Sequence, residues 1–175
     1  AFALGRYKFA GRSTTNLLIF LPMATPEIVL GASLLTMFLN LGITPGLVPT
    51  IIAHVMFCIS FVVVTVKARI ASLDPRLEQA AMDLYANEWQ TFRRVTLPLV
   101  APGIAAAALL SFSLSFDDFI ITNFNSGTVS TFPKFVYTAA ARGIPAQANV
   151  IGSGMFFLAL AIVLVGQFVN RRKAR

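Results

Sequence analysis

Four stretches of this chain, at about 16–40, 47–67, 99–122 and 149–170, each run for twenty or more mostly apolar residues. That is the length an α-helix needs to cross a hydrocarbon core, about 20 residues. Inside lipid every backbone N–H and C=O must find a partner within the protein, so each stretch is predicted to be a transmembrane helix. Apolar helices packed together in water are the alternative, and runs this long count against it. Composition agrees: only 12% of the 175 residues are charged and the mean hydropathy is +0.76, where soluble domains carry about 25% charged residues.

The net charge of +7 raises the question of a nucleic-acid partner. The basic residues do not form a patch among aromatics, however. They cluster where the apolar runs end, which excludes that reading and points to anchoring on one face of a membrane. Arg6, Lys8 and Arg12 precede the first run, and Lys67, Arg69, Arg76, Arg93 and Arg94 lie between the second and third. Arg171, Arg172, Lys173 and Arg175 follow the fourth, whereas the opposite side has only Lys134 and Arg142. Both ends and the 67–98 connection are therefore expected in the cytoplasm. Cys58 is a lone thiol, so no internal disulfide or cysteine metal cluster is expected.

The opening AFALGRYKFAGR has neither an initiator methionine nor a signal-peptide pattern. It reads as the tail of an apolar helix followed by a basic turn, and a longer protein is expected upstream. On the outer side, Gly42-Ile43-Thr44-Pro45-Gly46 is a tight turn of breakers. The 123–148 connection is long enough for structure of its own: Pro133 opens a short helix through Tyr137 to Ala141, Gly143 and Pro145 end it, and Asn149 caps the last span.

The segment LDPRLEQAAMDLYANEWQTFRRVTLP is too polar to cross a membrane and too patterned to be a passive linker. Asp74 caps a helix with Pro75 in its first turn, and Leu73, Leu77, Ala80 and Leu84 give it an apolar face. Asn87 with Gln90 three residues on makes a capping box for a second helix, on which Trp89 and Phe92 face the same way. These residues alone leave two readings open: a docking element, or an amphipathic connector lying on the lipid surface. Trp89 likewise suits either a headgroup anchor or a plug for a groove.

The same segment resembles the EAA loop of ABC-importer permeases, in which Glu-Ala-Ala is followed after three residues by Gly and after nine more by Ile-x-Leu-Pro. Ala80 and Ala81 hold the alanine positions, and Val95, Leu97 and Pro98 hold the ending. Gln79 stands where glutamate is usual, with Glu78 beside it, and Tyr85 stands in the glycine position. Glycine permits a left-handed turn there that tyrosine resists. The resemblance implies an all-α permease fold with about four of the usual six transmembrane helices present. It also implies a coupling loop over 74–98, with Glu78, Gln79, Ala80, Ala81, Asp83, Tyr85, Trp89, Leu97 and Pro98 as its ATPase-coupling residues. The partners it implies are a second permease subunit, two cytoplasmic ATPase subunits and an extracytoplasmic substrate-binding protein, with membrane lipid around the chain; the 123–148 loop would dock the binding protein. No GxxxxGK[ST] phosphate loop occurs, so this chain is expected to hold no cofactor, and ATP and Mg are expected on the partner ATPase. Gly152-Ser153-Gly154 reads as a helix-packing patch.

Three carboxylates fall within or at the rim of the spans: Glu27, Asp117 and Asp118. Charges at such depths usually face a bundle interior or a water-filled path. Glu27 follows Pro22 and Pro26, which are predicted to kink its helix near the midplane. Reading back from Asp118 at helical spacing gives Ser115, Ser111 and Ala108, with Thr122 continuing outward, a small and polar stripe. The stripe lines a cation path or forms a helix contact in which an acid caps the next segment. His54 is either a proton relay or, more simply, a hydrogen-bonded structural residue.

With no base in the spans to neutralise these acids, a cationic cargo fits. A polyamine matches spaced carboxylates and aromatic surfaces such as Phe116, Phe119 and Phe124. LLSFSLSFDDFIITNF, SFVVVTVKARI and RYKFAGR are similar to spermidine/putrescine importer permeases, which implies polyamine import across a bacterial inner membrane by alternating access. Transport of iron, thiamine or an anion by the same machine, and a scaffold or channel without ATP coupling, are the rivals.

Overall fold

The computed structural model describes residues 1–140, 143 and 146–173, with side chains of the last helix described at 146, 147, 149–161 and 164. The chain divides into two units, Ala1–Ser130 and Thr131–Arg175. Among the described residues every regular element is helical. The first unit holds α1 (Phe2–Arg6), α2 (Arg12–Ala24), α3 (Glu27–Asn40), α4 (Leu47–Ala71), α5 (Arg76–Asp83), α6 (Glu88–Thr91), a π-helical stretch at Phe92–Thr96, α7 (Leu97–Asp117) and α8 (Ile120–Asn125). The second holds α9 (Phe132–Ala140) and α10 (Ala146–Lys173).

The first predicted span is not one kinked helix. It breaks between α2 and α3 with a bend of 106°. Pro22 lies inside α2 without interrupting it, and Thr25 takes an extended conformation (φ −81°, ψ 131°). The break follows from Pro26, whose ring disfavours helical backbone at the preceding residue and which has no N–H to donate back.

Leu47–Ala71 runs unbroken and, at 1.5 Å per residue, is about 37 Å long, enough to cross. A second long apolar helix covers Glu88–Asp117. The third span therefore starts inside the polar 74–98 segment, its α6 joined to α7 through the π-helical turn, and it ends at Asp117, not near residue 122. Asp118 leaves the helix with ψ 120° and α8 follows as a separate turn. Among the described residues two helices are thus long and apolar enough to span, with the bent α2–α3 pair a third if taken as one broken span.

The fourth predicted span falls within α10, whose described apolar stretch is Asn149–Ala161. Because α10 opens at Ala146, Asn149 lies inside the helix and is not its cap. Ala141, Arg142, Pro145 and Arg175 lie outside the described residues, as do the side chains of Arg171, Arg172 and Lys173.

Two apolar clusters hold the first unit. Leu34, Phe38, Ala53, Phe57, Cys58 and Ile121 join α3, α4 and α8. Val66, Ile70, Val100 and Ala107 join α4 to α7, with Phe2 and Leu73 packed against them. Close approach depends on two glycines. A Cβ at Gly31 would lie 3.0 Å from the Phe124 ring, and one at Gly103 only 2.6 Å from Cβ and Cγ of Arg69. Much of the remaining apolar surface is exposed, including Leu17, Leu18, Phe20, Val55, Ile59, Leu109 and Phe112. In lipid such side chains need no protein partner.

Candidate functional site

The break at Pro26 puts Glu27 in the first turn of α3, where the helix dipole favours a negative charge. The end of α7 brings Asp117 to the same place. Both carboxylates line a cavity of about 250 Å³ with Phe57, Ser113, Leu114, Asp118, Phe119 and Ile120. Glu27 and Asp117 are exposed and make no ion pair among the described residues.

Asp118 is different in kind. It is 8% exposed and its oxygens are used by the protein. Oδ1 accepts from the Ile121 backbone N–H at 3.2 Å, while Oδ2 accepts from Thr122 N–H at 2.8 Å and from the Thr122 hydroxyl at 3.0 Å. His54 Nε2 lies 3.3 Å from the same oxygen. That ring also reaches Thr122 Oγ1 at 2.9 Å and, through Nδ1, Ser115 Oγ at 2.7 Å. One imidazole on α4 thus ties together the end of α7, the turn and α8.

The predicted stripe is accordingly corrected in its geometry: Asp118 and Thr122 leave the helix that carries Ser111 and Ser115. Fold-back through the Asp118 turn, not one helical face, brings Asp118, Thr122 and Ser115 around His54. Ser111 does not line the cavity; its carbonyl faces Cys58 Sγ at 3.7 Å and its hydroxyl is buried without a partner among the described residues.

In the polar 74–98 segment Asp74 Oδ1 accepts from Arg76 N–H at 2.9 Å, although α5 opens at Arg76 with Pro75, not Asp74, in the cap position. The Asn87–Gln90 capping box is complete, at 2.8 and 3.0 Å. Tyr85 has φ 62°, the left-handed turn that its side chain opposes. The bend is therefore made by tyrosine at an estimated cost of about 1 kcal/mol. Gln79, Ala80, Asp83, Leu97 and Pro98 are exposed, and Ala81 and Glu78 are half-buried. Leu84 is 81%, Tyr85 99% and Trp89 66% exposed. An apolar and aromatic surface of this kind, raised on α5 and the capped α6, suits docking to another protein.

Residues 1–172 match the family described as binding-protein-dependent transport system inner membrane component. The chain belongs to that permease family. This permease is 36% identical over 176 residues to the spermidine/putrescine transport system permease protein PotC of Escherichia coli, covering all of this chain and 67% of the relative. It is 35% identical over 173 residues to PotC of Haemophilus influenzae, covering 98% and 67%. The putrescine transport system permease protein PotI of Escherichia coli is 33% identical over 153 residues, covering 83% and 54%. The permease thus spans about two thirds of the length of its PotC relatives, and it is a multi-pass membrane protein.

Among the contributors that sequence reasoning missed are Phe57 in the cavity wall, and Arg6 and Thr96, which both reach Glu78. No local pattern announces them, because each acts across 18 or more residues of chain. Among the described residues no group of three His, Cys, Asp or Glu could hold a metal ion.

Proposed function

We propose that this permease subunit carries a polyamine, spermidine or putrescine, across the bacterial inner membrane by alternating access. It pairs with a second permease and two ATPase subunits, and an extracytoplasmic binding protein delivers the cargo to the side bearing the 123–148 connection. ATP and Mg act on the ATPase subunits; Tyr85, Trp89 and the exposed face of α5 dock there, on the cytoplasmic side with both ends of the chain. The names of the relatives support this reading, and one observation carries it. Glu27 and Asp117, 90 residues apart in sequence, converge with Phe57 and Phe119 on one cavity that no Lys, Arg or His lines among the described residues. Unpaired carboxylates at an apolar wall repel an anionic cargo and favour ammonium groups on a methylene chain.

Uptake of labelled putrescine and spermidine by cells lacking their own permease tests it. The full-length permease is expected to restore uptake of at least one. Asp117→Asn is expected to lower that uptake about tenfold, the loss of one charge-assisted contact, with assembly unchanged. Restoration of neither solute would sink the polyamine reading, and full uptake by Asp117→Asn would remove this acid from the path.

A further inference from the structure

Glu78 does not face the docking surface that Tyr85 and Trp89 form. Its Oε1 lies 3.6 Å from Arg6 Nε in α1 and accepts from the Thr96 hydroxyl at 3.2 Å. The same guanidinium donates from Nη2 to the Leu73 carbonyl at 3.2 Å, where α4 gives way to the loop. The Arg6 and Glu78 side chains are only 13% and 23% exposed, so the pair is shielded from most solvent screening.

One charge pair therefore ties four pieces of chain: α1, the start of the loop, α5 and the π-helical stretch that leads into α7. An aromatic line runs beside it. Trp89, exposed, stacks on Phe92 at 5.9 Å, and Phe92 meets Phe2 of α1 edge-on at 5.8 Å. The π-helical stretch is the weak point of an otherwise continuous helix, a place where register can change.

We propose that the Arg6–Glu78–Thr96 junction transmits loop movement to the membrane helices, with Glu78 as a positioning residue that locks α5 onto α1 and onto the base of α7. This rests on the reading of the chain as an ATP-coupled permease. A push on the loop at Trp89 moves α7 and α1 together while the junction holds. Without it the loop moves alone, through the π-helical turn, and ATP is hydrolysed without transport.

The test uses the complete transporter, with its second permease, ATPase subunits and binding protein, in proteoliposomes. ATP hydrolysed per labelled putrescine moved is compared for wild type, Glu78→Gln, Arg6→Met and the double variant. Each single change is expected to raise that ratio about fivefold. The double variant is expected to be no worse than either single, since all three break one linkage. A wild-type ratio in Glu78→Gln, or a double effect equal to the product of the singles, would overturn the proposal. Should Glu78→Gln fail to assemble, Thr96→Val, which leaves the ion pair standing, is expected to raise the ratio about twofold, and an unchanged ratio there overturns it equally. A wild-type complex that hydrolyses ATP without response to loaded binding protein would instead refute the importer reading itself.

Discussion

The exposed caps of the 74–98 segment and the buried groups around His54 solve the same problem, the satisfaction of polar groups, over opposite distances in sequence. In the loop, Asp74 serves Arg76 and Asn87 exchanges hydrogen bonds with Gln90, partners two and three residues away. Within the helices, His54 serves Ser115 and Thr122, partners 61 and 68 residues away, and Asn125 donates to the Gly31 carbonyl 94 residues off. Water explains the difference. A loop residue that loses its cap falls back on solvent, whereas an interior residue that loses its partner has no substitute. Failures should therefore be severe and global at the buried network and mild and local at the exposed caps; the half-buried Arg6–Glu78 pair of the loop belongs with the first group.

The largest expected effect follows from Asp118→Ala. It strips His54, the Thr122 hydroxyl and two backbone N–H groups of their acceptor at a buried site. Breaking a buried pair from one side costs about 3 kcal/mol or more. Thermal unfolding of the purified permease in detergent should drop by several degrees, with loss of protection in α4, α7 and α8 together. A melting point equal to wild type would mean that the interior tolerates loss of an acceptor as the loop does, and the comparison would fail.

Asn87→Ala should do less. An N-cap contributes about 1 kcal/mol, and here its loss frees exposed groups that water can take up. Hydrogen exchange should quicken at Gln90 and its neighbours in α6 while α4 and α8 keep their protection. Spread of the faster exchange to α8 would show that the two regions are coupled more tightly than their hydrogen bonding indicates.

The same contrast separates what was legible from what was not. Apolar runs, basic clusters and caps are local patterns, so the helical class and the Asn87–Gln90 box could be read directly. The break at Pro26 was half legible: two prolines predicted bending, but nothing local distinguished Pro22, which α2 absorbs, from Pro26, which ends it. The stripe from Ser111 to Thr122 was misplaced because helical periodicity assumes a helix that continues, and Asp118 stops this one by turning its carboxylate to cap α8. The pairing of Glu27 with Asp117 in one cavity and of Arg6 with Glu78 in one junction depends on packing between distant segments. Only the fold reports it.

Tyr85→Gly offers the finest test of how local the loop is. Tyr85 holds φ 62° with its ring 99% exposed, so its side chain gains nothing from burial that would offset the left-handed strain. Glycine removes that strain, about 1 kcal/mol, and returns about half of it as extra freedom of the unfolded chain. The net gain is expected to be about 0.5 kcal/mol, seen as slower amide exchange around Leu84–Asn87 and nowhere in the helices. An exposed ring kept at this cost suits a residue held for what docks against it. Capture of the ATPase subunits should therefore weaken in Tyr85→Gly while the loop itself grows more stable. If capture instead improved along with stability, the tyrosine would be only a strained turn residue, and the docking surface would have to rest on Leu84 and Trp89 alone.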